Sequence, residues 1–586
     1  AALKRRVDGK AEMLFADATT PAVALASALQ AALDEAIAGL PVPKLMSYQL
    51  ADGVTTVHFA RPVHGLVALH GRAVVPVQAL GLEAGRTVHG HRFQGARDIA
   101  LEHAGEYERR LEEEGRVIAD FDARRRRIAG QLAEEAGRFT TGFVPPEALL
   151  EEVSALVEWP AVYAGGFEEE YLAVPQECLI LTMQQHQKYF PLVRDGALLP
   201  KVLIVSNMQL DDPGLVVGGN ERVVRPRLAD ARFFFETDKK TRLAERVPQL
   251  AARTYHKKLG SDLDRVERLR LLAVRIQDRL PRGRQGREYA DRAALLAKAD
   301  LTTLMVGEFP ELQGVMGRHY AAADGEEPSV VRAIEQHYWP RFAGDHLPAG
   351  DVSVAVALAD KLCTLAGLFG IGAQPSGDKD PYALRRNALG VVRILVEGGF
   401  NLSLHELVAD AFAVFPPGML GDAHGDLLAF ILERLRGYLR DQGFSANEVE
   451  SVLCTSPALL HEVPRRLQAV RAFAALPESE SLAAANKRVA NILRQAEAKG
   501  ETFAEVARGE LREPAEIALF EQLSAVSKSA RALHDNGDYE GYLRSFAVLK
   551  AAVDAFFDSI MVMAEDPVVR RSRLALLAQL RREMNR

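Results

Sequence analysis

The stretch AALLAKADLTTLMVGEFPELQGVMGRHY, residues 293–320, lies within a long region whose apolar residues recur with a helical period. This region runs from about residue 240 to about 475, with breaks at PRGRQG, HLPAGD, IGAQPSGDKDP and FPPGMLGDAHGD. Glycine and proline in these breaks are typical of loops. The pattern predicts a large helical domain over 241–400, followed by a helical linker over 401–480.

The pattern changes towards the N-terminus. Residues 1–145 combine a helical stretch (21–40), short β-like runs and a long charged helix over 101–138, which we expect to break near Gly115. Residues 146–240 are predicted to be rich in strands, from the runs YLAVPQECLILTM, KYFPLV and KVLIVSNM. Together with the helical region, these segments predict a multidomain α+β protein.

The last hundred residues, 481–586, are predicted to be a helical bundle. Phe546, Leu549, Val553, Phe556 and Ile560 recur at spacings of three and four, which predicts one buried stripe. A final helix is expected to begin at Pro567, with Asp566 as its N-cap.

Composition limits the class of protein. The chain has 586 residues, a net charge of −7 and 26% charged residues, as expected of a soluble protein of several domains. We expect no membrane span, no signal peptide and no disulfide framework, and the default location is the cytoplasm. With 72 basic against 79 acidic residues, binding to nucleic acid would require local basic patches.

One candidate active site falls in the stretch quoted first. Its start resembles the helix that carries the His-Asp metal dyad of HD phosphohydrolases, and His256, His319, His337 and Asp360 follow the order of further ligands. At the place of the dyad, however, stand Lys298, Ala299 and Asp300, and the cation would repel a divalent metal. We predict an HD-like scaffold without a metal site. An HD-type metal-dependent phosphohydrolase is the alternative function.

A second candidate is the segment GAQPSGDKD, residues 372–380, which nearly matches the phosphate loop G-x-x-x-x-G-K-[ST]. Asp378 precedes the lysine, and its charge would repel phosphate. We interpret the segment as an ordered loop before a helix that has Pro381 at its first position. No G-x-S-x-G nucleophile elbow is found in the sequence. We therefore predict no catalytic residue in this chain.

Several motifs, in order along nearly the whole chain, resemble the beta subunit of the bacterial two-chain glycyl-tRNA synthetase. They include FARPVHGLVAL with GHRF (59–93), QKYFPL (187–192), GNERVVRPRLADARFFFETD (219–238), GIGAQPSGDKDPYALRRNALG (370–390) and NKRVANIL (486–493). The family pattern starts roughly a hundred residues earlier, so we expect a segment to be missing at the N-terminus.

The resemblance implies a division of labour between two chains. The alpha subunit activates glycine with ATP and magnesium, and the beta subunit binds tRNA(Gly) within an alpha2beta2 assembly. This chain is then expected to hold no cofactor and to bind neither DNA nor membrane. The resemblance also implies that residues 146–240 are B3/B4-like, that 241–400 are HD-like and that 481–586 bind the anticodon. A noncatalytic RNA-binding or assembly module is a further alternative.

The candidate RNA-binding residues form four groups: Arg222, Arg225 and Arg227; Arg385 and Arg386; Asn486, Lys487, Arg488 and Asn491; and Arg570, Arg571 and Arg573. Arginines can hold phosphate while an aromatic ring stacks on an unpaired base. For the first group, an equal alternative is that Phe233–Phe235 are core and the arginines, with Arg232, pair with Glu221, Asp230 and Glu236. For the second, phosphate contact and internal pairing are also balanced.

For the two C-terminal groups we favour RNA contact. NKRVANIL is predicted to begin a helix whose Lys487, Arg488 and Asn491 face the anticodon region. Val489, Ile492 and Leu493 are then expected to pack inward.

Overall fold

Short strands and helices alternate in the first part of the chain, whereas the remainder is almost wholly helical. The computed structural model describes residues 3–8, 11–16, 23–503, 505–506 and 508–585. The chain divides into two compact units, 1–233 and 234–586. The predicted α+β class is confirmed by this combination. The finer division into five domains stays a prediction.

The strands are mostly short and form small sheets. A three-stranded antiparallel sheet has the order β12-β14-β13, and in another three-stranded sheet β5 runs parallel to β9, which pairs with β8. The strands are β1 Leu3–Asp8, β2 Ala11–Ala16, β3 Met46–Gln49, β4 Thr56–Phe59, β5 Leu66–Val67, β6 Leu69–His70, β7 Ala73–Val74, β8 Gln78–Ala79, β9 Leu82–Gly85, β10 Thr87–Val88, β11 Ile99–Ala100, β12 Ala161–Gly166, β13 Phe190–Arg194, β14 Ala197–Ser206, β15 Thr254–His256 and β16 Gly260–Ser261.

Among the described residues of the first unit, six helices begin: α1 Leu25–Gly39, α2 Tyr107–Glu113, α3 Phe121–Ala136, α4 Glu147–Leu156, α5 Gln176–Gln187 and α6 Gly214–Asp238. Residues 21–22 of the helix predicted over 21–40 lie outside the described residues. The charged helix predicted over 101–138 is broken near Gly115, as expected, because α2 ends at Glu113 and Arg116 has a φ of 52°. The predicted strand QECLILTM is wrong, because these residues form α5.

The core of the first unit lies where α3 and α4 cover the β12-β14-β13 sheet. Its buried side chains include Ile128, Leu132, Leu150, Phe190 and Leu203. The helix α3 begins where the side chain of Asp120 accepts a hydrogen bond from Ala123 N, which satisfies a free amide of the first turn. Beside this core, Trp159 lies under the guanidinium of Arg127, 4.2 Å from the ring centre to Cζ.

The helices of the second unit before residue 475 are α7 Leu243–Arg246, α8 Asp262–Asp278, α9 Arg287–Leu296, α10 Leu304–Glu308, α11 Val315–Ala323, α12 Pro328–Gln336, α13 Asp351–Gly370, α14 Leu384–Glu397, α15 Leu404–Phe412, α16 His424–Asp441, α17 Ala446–Leu453 and α18 Val463–Ala474. By length and composition α13 could cross a membrane, but its most apolar stretch is wholly buried in the protein. It is a core helix, packed against α8, α14 and α12. In the segment between α12 and α13, the ring of Trp339 lies 5.8 Å from that of His346.

The C-terminal helices are α19 Ser479–Glu497, α20 Pro514–Asp535, α21 Tyr539–Ser545, α22 Lys550–Ser559 and α23 Pro567–Met584. The predicted stripe over residues 546–560 is confirmed, since all five of its side chains are buried in one core. The start of the last helix is also confirmed, because the Asp566 side chain accepts a hydrogen bond from Val568 N at 2.8 Å.

Candidate nucleic-acid interface

The place where an HD hydrolase would bind metal is a buried charge cluster. Lys298 follows α9 and is 1% exposed. Its Nζ lies 3.2 Å from Oδ1 of Asp360 on α13 and 3.9 Å from the ring centre of Tyr338. Arg265 on α8 donates to the same carboxylate oxygen at 2.7 Å. Two cations therefore neutralise Asp360, the carboxylate that a metal would need.

Burial and mutual attraction shift the titration of these groups. Burial lowers the pKa of Lys298 to about 8, although Asp360 opposes this shift. Burial alone would raise the pKa of Asp360, but Arg265 and Lys298 outweigh it and hold that pKa well below its usual range. Burial raises the pKa of Asp300 to about 6 against the hydrogen bonds that its Oδ2 accepts from Gly314 N and Gly317 N.

Of the four other candidate ligands, His337 and Asp360 belong to this cluster. His337 is fully buried, and burial followed by the charge of Lys298 lowers its pKa well below the ordinary value. His256 instead makes an edge contact with Tyr382, and His319 lies 2.9 Å from an Arg318 nitrogen. Within the described residues, no group of three or more His, Cys, Asp or Glu side chains is arranged to hold a metal. The geometry favours a structural role for this cluster.

The loop 372–380 lies before a helix and caps it, as the sequence predicted. The predicted first residue of that helix, Pro381, is wrong. The helix α14 begins at Leu384 and not at Pro381, because the carboxylate of Asp380 accepts from Leu384 N at 2.8 Å and from Arg385 N at 2.9 Å. The Arg385 side chain donates to the backbone oxygen of Gly377. Arg386 is exposed and makes no hydrogen bond or ion pair with any residue that is described. Arg386 is therefore the better candidate of this pair for binding a ligand.

On α6, two arginines are held by acidic residues of the segment 168–170, which precedes α5. Arg225 Nε lies 2.6 Å from Glu168 Oε1, and Arg232 Nη1 lies 2.8 Å from Glu170 Oε2. The alternative of internal pairing therefore holds for these two, with different partners from those predicted. The carboxylates named in that prediction make other contacts or none: Glu221 accepts from Gly166 N, Glu236 pairs with Lys239, and Asp230 is exposed.

The rest of α6 is divided between surface and core. Arg222 is exposed and donates to the backbone of its own helix, and Arg227 is exposed without a hydrogen bond or ion pair to the described chain. Phe235 is buried and stacks on Tyr320 with ring centres 5.7 Å apart, whereas Phe233 is 62% exposed. The prediction that all three phenylalanines are core is therefore wrong for Phe233.

The strongest candidate surface is the polar face of α19. Lys487, Arg488 and Asn491 are exposed, while Val489 and Leu493 are buried and Ile492 packs against the same core. This division confirms the predicted inward packing of Val489, Ile492 and Leu493, and contact of the polar face with the anticodon region stays a prediction. The predicted start is wrong, because α19 begins at Ser479 and NKRVANIL forms its middle.

The α19 face carries three cationic side chains. Arg488 lies over the ring of Phe557 with Cζ 4.4 Å from the ring centre, which holds its planar group in place. The side chains of Lys487, Asn491 and Arg494 make no hydrogen bond or ion pair to the described residues. Arg494 was not among the predicted site residues, although its position three residues after Asn491 places it on the same face.

The α23 arginines differ from one another. Arg570 pairs with Glu501 at 2.9 Å, and Arg571 is exposed without an ion pair in the described part of the chain. Arg573 is 9% exposed, and its guanidinium binds Glu516 and donates to Met561 O. A guanidinium buried against a carboxylate cannot reach phosphate without opening the core. We therefore exclude Arg573 from the candidate surface, as a correction to the predicted set.

A cavity of about 210 Å³ opens beside α19. The amides of Asn486 and Asn585 close one side of it through two reciprocal hydrogen bonds, at 2.9 and 3.1 Å. Aromatic and cationic side chains form other parts of the lining, among them Arg466, Phe473, Tyr539, Tyr542 and Phe546. Since Asn585 lies 99 residues from Asn486, no local signal in the sequence indicated this pair.

The C-terminal helices belong to a known class of domain. Residues 482–586 match the profile of the DALR anticodon binding domain. Residues 1–454 match the profile described as the glycyl-tRNA synthetase beta subunit.

Close relatives extend this match over the whole chain. A glycine–tRNA ligase beta subunit of Thiobacillus denitrificans is 57% identical over 590 residues, covering 100% of this chain and 84% of the relative. One of Methylobacillus flagellatus is 54% identical over 587 residues, covering 100% of this chain and 82% of the relative. The chain belongs to the family of glycyl-tRNA synthetase beta subunits, and the resemblance seen in the sequence is confirmed.

Proposed function

We propose that this chain binds tRNA(Gly) for a glycine–tRNA ligase, with residues 482–586 recognising the anticodon region. A partner alpha subunit, in an alpha2beta2 assembly, attaches glycine with ATP and magnesium. This chain supplies no catalytic residue and holds no cofactor. Its predicted location is the cytoplasm, and we expect it to bind neither DNA nor membrane.

The observation that carries the proposal is the exposed face of α19, in a domain that matches an anticodon-binding profile. Three cationic side chains and one amide share this face without a carboxylate partner in the described structure. Cations bind phosphate, whereas an amide and a fixed guanidinium can also read base edges. This combination is suited to RNA.

The neighbouring cavity provides a place for an unpaired base. Its apolar and aromatic walls favour a nucleobase ring, and the Asn486–Asn585 amide pair can exchange one partner for the edge of a base. Arg571 is available for phosphate, and Arg570 becomes available if its pair with Glu501 opens, since a partly exposed pair is weak.

Exposed arginines elsewhere are secondary candidates for the same ligand. Arg222, Arg227 and Arg386 are exposed, and none of them is paired with a carboxylate of the described residues. Arg225 is partly exposed and paired, so phosphate would have to replace Glu168. Arg385 anchors its own loop and is the weakest candidate.

The central test is Arg488→Ala, assayed by binding to tRNA(Gly) and to a tRNA with a different anticodon. If Arg488 bonds a base edge, discrimination falls by about 1–3 kcal/mol. If it contacts only phosphate, both affinities fall and the salt slope drops by about one unit. The matched control is Arg544→Ala, because Arg544 is exposed in the same domain but pairs with Glu540. Unchanged binding to both RNAs with a folded domain would contradict the assignment.

A second experiment tests the division of labour. We expect the isolated chain to show no glycine-dependent exchange of ATP with pyrophosphate, and a mixture with the alpha subunit to charge tRNA(Gly). Exchange activity in this chain, free of any alpha subunit, would contradict the proposal. The phosphohydrolase alternative predicts tight manganese binding, which the ammonium beside Asp360 opposes.

A further inference from the structure

The loop between β10 and β11 presents a large aromatic side chain to solvent. Residues 89–98 read HGHRFQGARD, and Phe93 at their centre is 72% exposed. Its two immediate neighbours differ in burial, since Arg92 is exposed and Gln94 is half-buried. A single exposed hydrophobic side chain is common, so this loop is a candidate binding element only if its backbone is fixed and the neighbouring groups suit a ligand.

Hydrogen bonds fix this loop from within and from outside. His91 is 2% exposed, and its Nδ1 accepts from Phe93 N at 3.2 Å and from Gln94 N at 3.1 Å. The Gln94 side chain donates to Gln209 O at 2.5 Å and accepts from Gln209 N at 2.9 Å. The loop that carries Phe93 is therefore held by the His91 side chain within it and by the backbone of Gln209, which follows β14.

Two glycines allow the close approach that the loop requires. A Cβ atom on Gly90 would collide with the backbone oxygen of Ala96, and one on Gly95 would collide with that of Gly115. The Gly115 oxygen also accepts from His91 N at 2.6 Å. Because backbone atoms close these gaps, a larger residue at either glycine would move the loop.

The charges of the loop favour an anionic ligand. Its one acidic residue, Asp98, lies 2.9 Å from Nδ1 of His89. Arg92 and Arg97 are exposed, and neither guanidinium makes a hydrogen bond or ion pair within the residues described. The Arg92 guanidinium lies 5.7 Å from the centre of the Phe93 ring, so a cation and an aromatic face adjoin each other.

We propose that the 89–98 loop is a second RNA contact, at which an unpaired base stacks on Phe93 while Arg92 and Arg97 hold the adjoining phosphates. This inference rests on the proposed function, since it takes RNA to be the ligand. Stacking on an aromatic ring accepts any base, and guanidinium groups follow the phosphate backbone. The loop therefore adds affinity for an unpaired nucleotide without reading its sequence.

The test is equilibrium binding of the full chain to tRNA(Gly), measured at two salt concentrations. Phe93→Ala should weaken binding roughly 5- to 150-fold, the range found when one base–aromatic stack is lost, and should leave the salt slope unchanged. Phe93→Tyr should retain wild-type affinity. Arg92→Gln and Arg97→Gln should each reduce the salt slope by about 0.7. The control is Val54→Ala, because Val54 is 82% exposed in the same unit and should not affect binding.

Parallel measurement of Arg488→Ala separates this inference from the proposed function. If Arg488→Ala weakens binding and Phe93→Ala does not, the loop is not an RNA contact and the proposed function stands. If the wild-type chain fails to bind tRNA, both are wrong. Equal losses for Phe93→Ala and Phe93→Tyr would refute stacking. Weaker association of Phe93→Ala with the alpha subunit, at unchanged RNA affinity, would make the loop a protein interface.

Discussion

Replacing Asp360 by Asn should destabilise the helical unit more than any single surface change. The carboxylate is buried and accepts from Arg265 at 2.7 Å, with the Lys298 ammonium at 3.2 Å. Asparagine keeps the shape but removes the charge that balances both cations. Breaking a buried pair by removing one partner costs about 3–5 kcal/mol.

The two cations share this cost unequally. Lys298 can release its proton. Because its pKa of about 8 lies one unit above pH 7, holding it in the neutral form at pH 7 costs about 1.4 kcal/mol. Arginine stays protonated in proteins, so the remainder falls on Arg265. The loss should therefore persist at alkaline pH, where Lys298 is neutral in both proteins.

The measurement is hydrogen exchange of peptides from α8 and α13 as denaturant is raised, because a chain of two units need not unfold in one step. The control is Asp291→Asn, which removes the carboxylate opposite Arg270 on the same helix. That pair lies at 2.9 Å but is about a third exposed, so we expect a loss of about 1 kcal/mol or less. Similar small losses for both variants would refute the view that Asp360 neutralises two buried cations.

Three further results are expected. Burial lowers the pKa of Lys298 from 10.5 to about 8, so between these pH values the unfolded chain binds more protons than the folded chain and stability rises with pH. Lys298→Met should reduce this rise in stability, measured by unfolding titrations at several pH values. Part of the rise should remain, because burial also lowers the pKa of Lys361 to about 8. Equal slopes would contradict the shift. Arg573→Ala should lower stability by about 3 kcal/mol by leaving buried Glu516 unpaired, and Arg571→Ala by less than about 0.5 in the same thermal melts. Gly95→Ala should lower the free energy of unfolding by about 1–3 kcal/mol, because its Cβ atom would collide with backbone, and should also weaken RNA binding. If the variant melts like the wild type, the loop is not fixed as described.

Features set by neighbouring residues were predictable from the sequence. Asp566 before Pro567 predicted the start of α23, and the spacing of apolar residues over 546–560 predicted a buried face. Both were predictable because a helix cap and helical periodicity depend on residues only a few positions apart. The family followed from motifs spread along the chain, which no single element could have shown. The inward and outward faces of α19 followed from the same periodicity.

Features set by distant residues were not predictable. The apolar run QECLILTM satisfies both strand and helix patterns, and packing decided for a helix. Arg225 and Arg232 on α6 pair with Glu168 and Glu170, which lie 57 and 62 residues away in the sequence. Likewise, Lys298 at the place of the dyad led to the prediction of a scaffold without a metal site, but it did not indicate the carboxylate that it contacts. Side-chain pairing across the fold depends on tertiary geometry, which one sequence does not contain.

The two tryptophans offer a way to observe the two units separately. Trp159 lies in the first unit under Arg127, and Trp339 lies in the second beside His346. Replacing either by phenylalanine leaves a chain whose indole emission reports on one unit alone. With Trp339 replaced, emission follows the unit that carries Phe93, and with Trp159 replaced it follows the helical unit with the α19 face. A titration with RNA would then show which unit responds at each concentration.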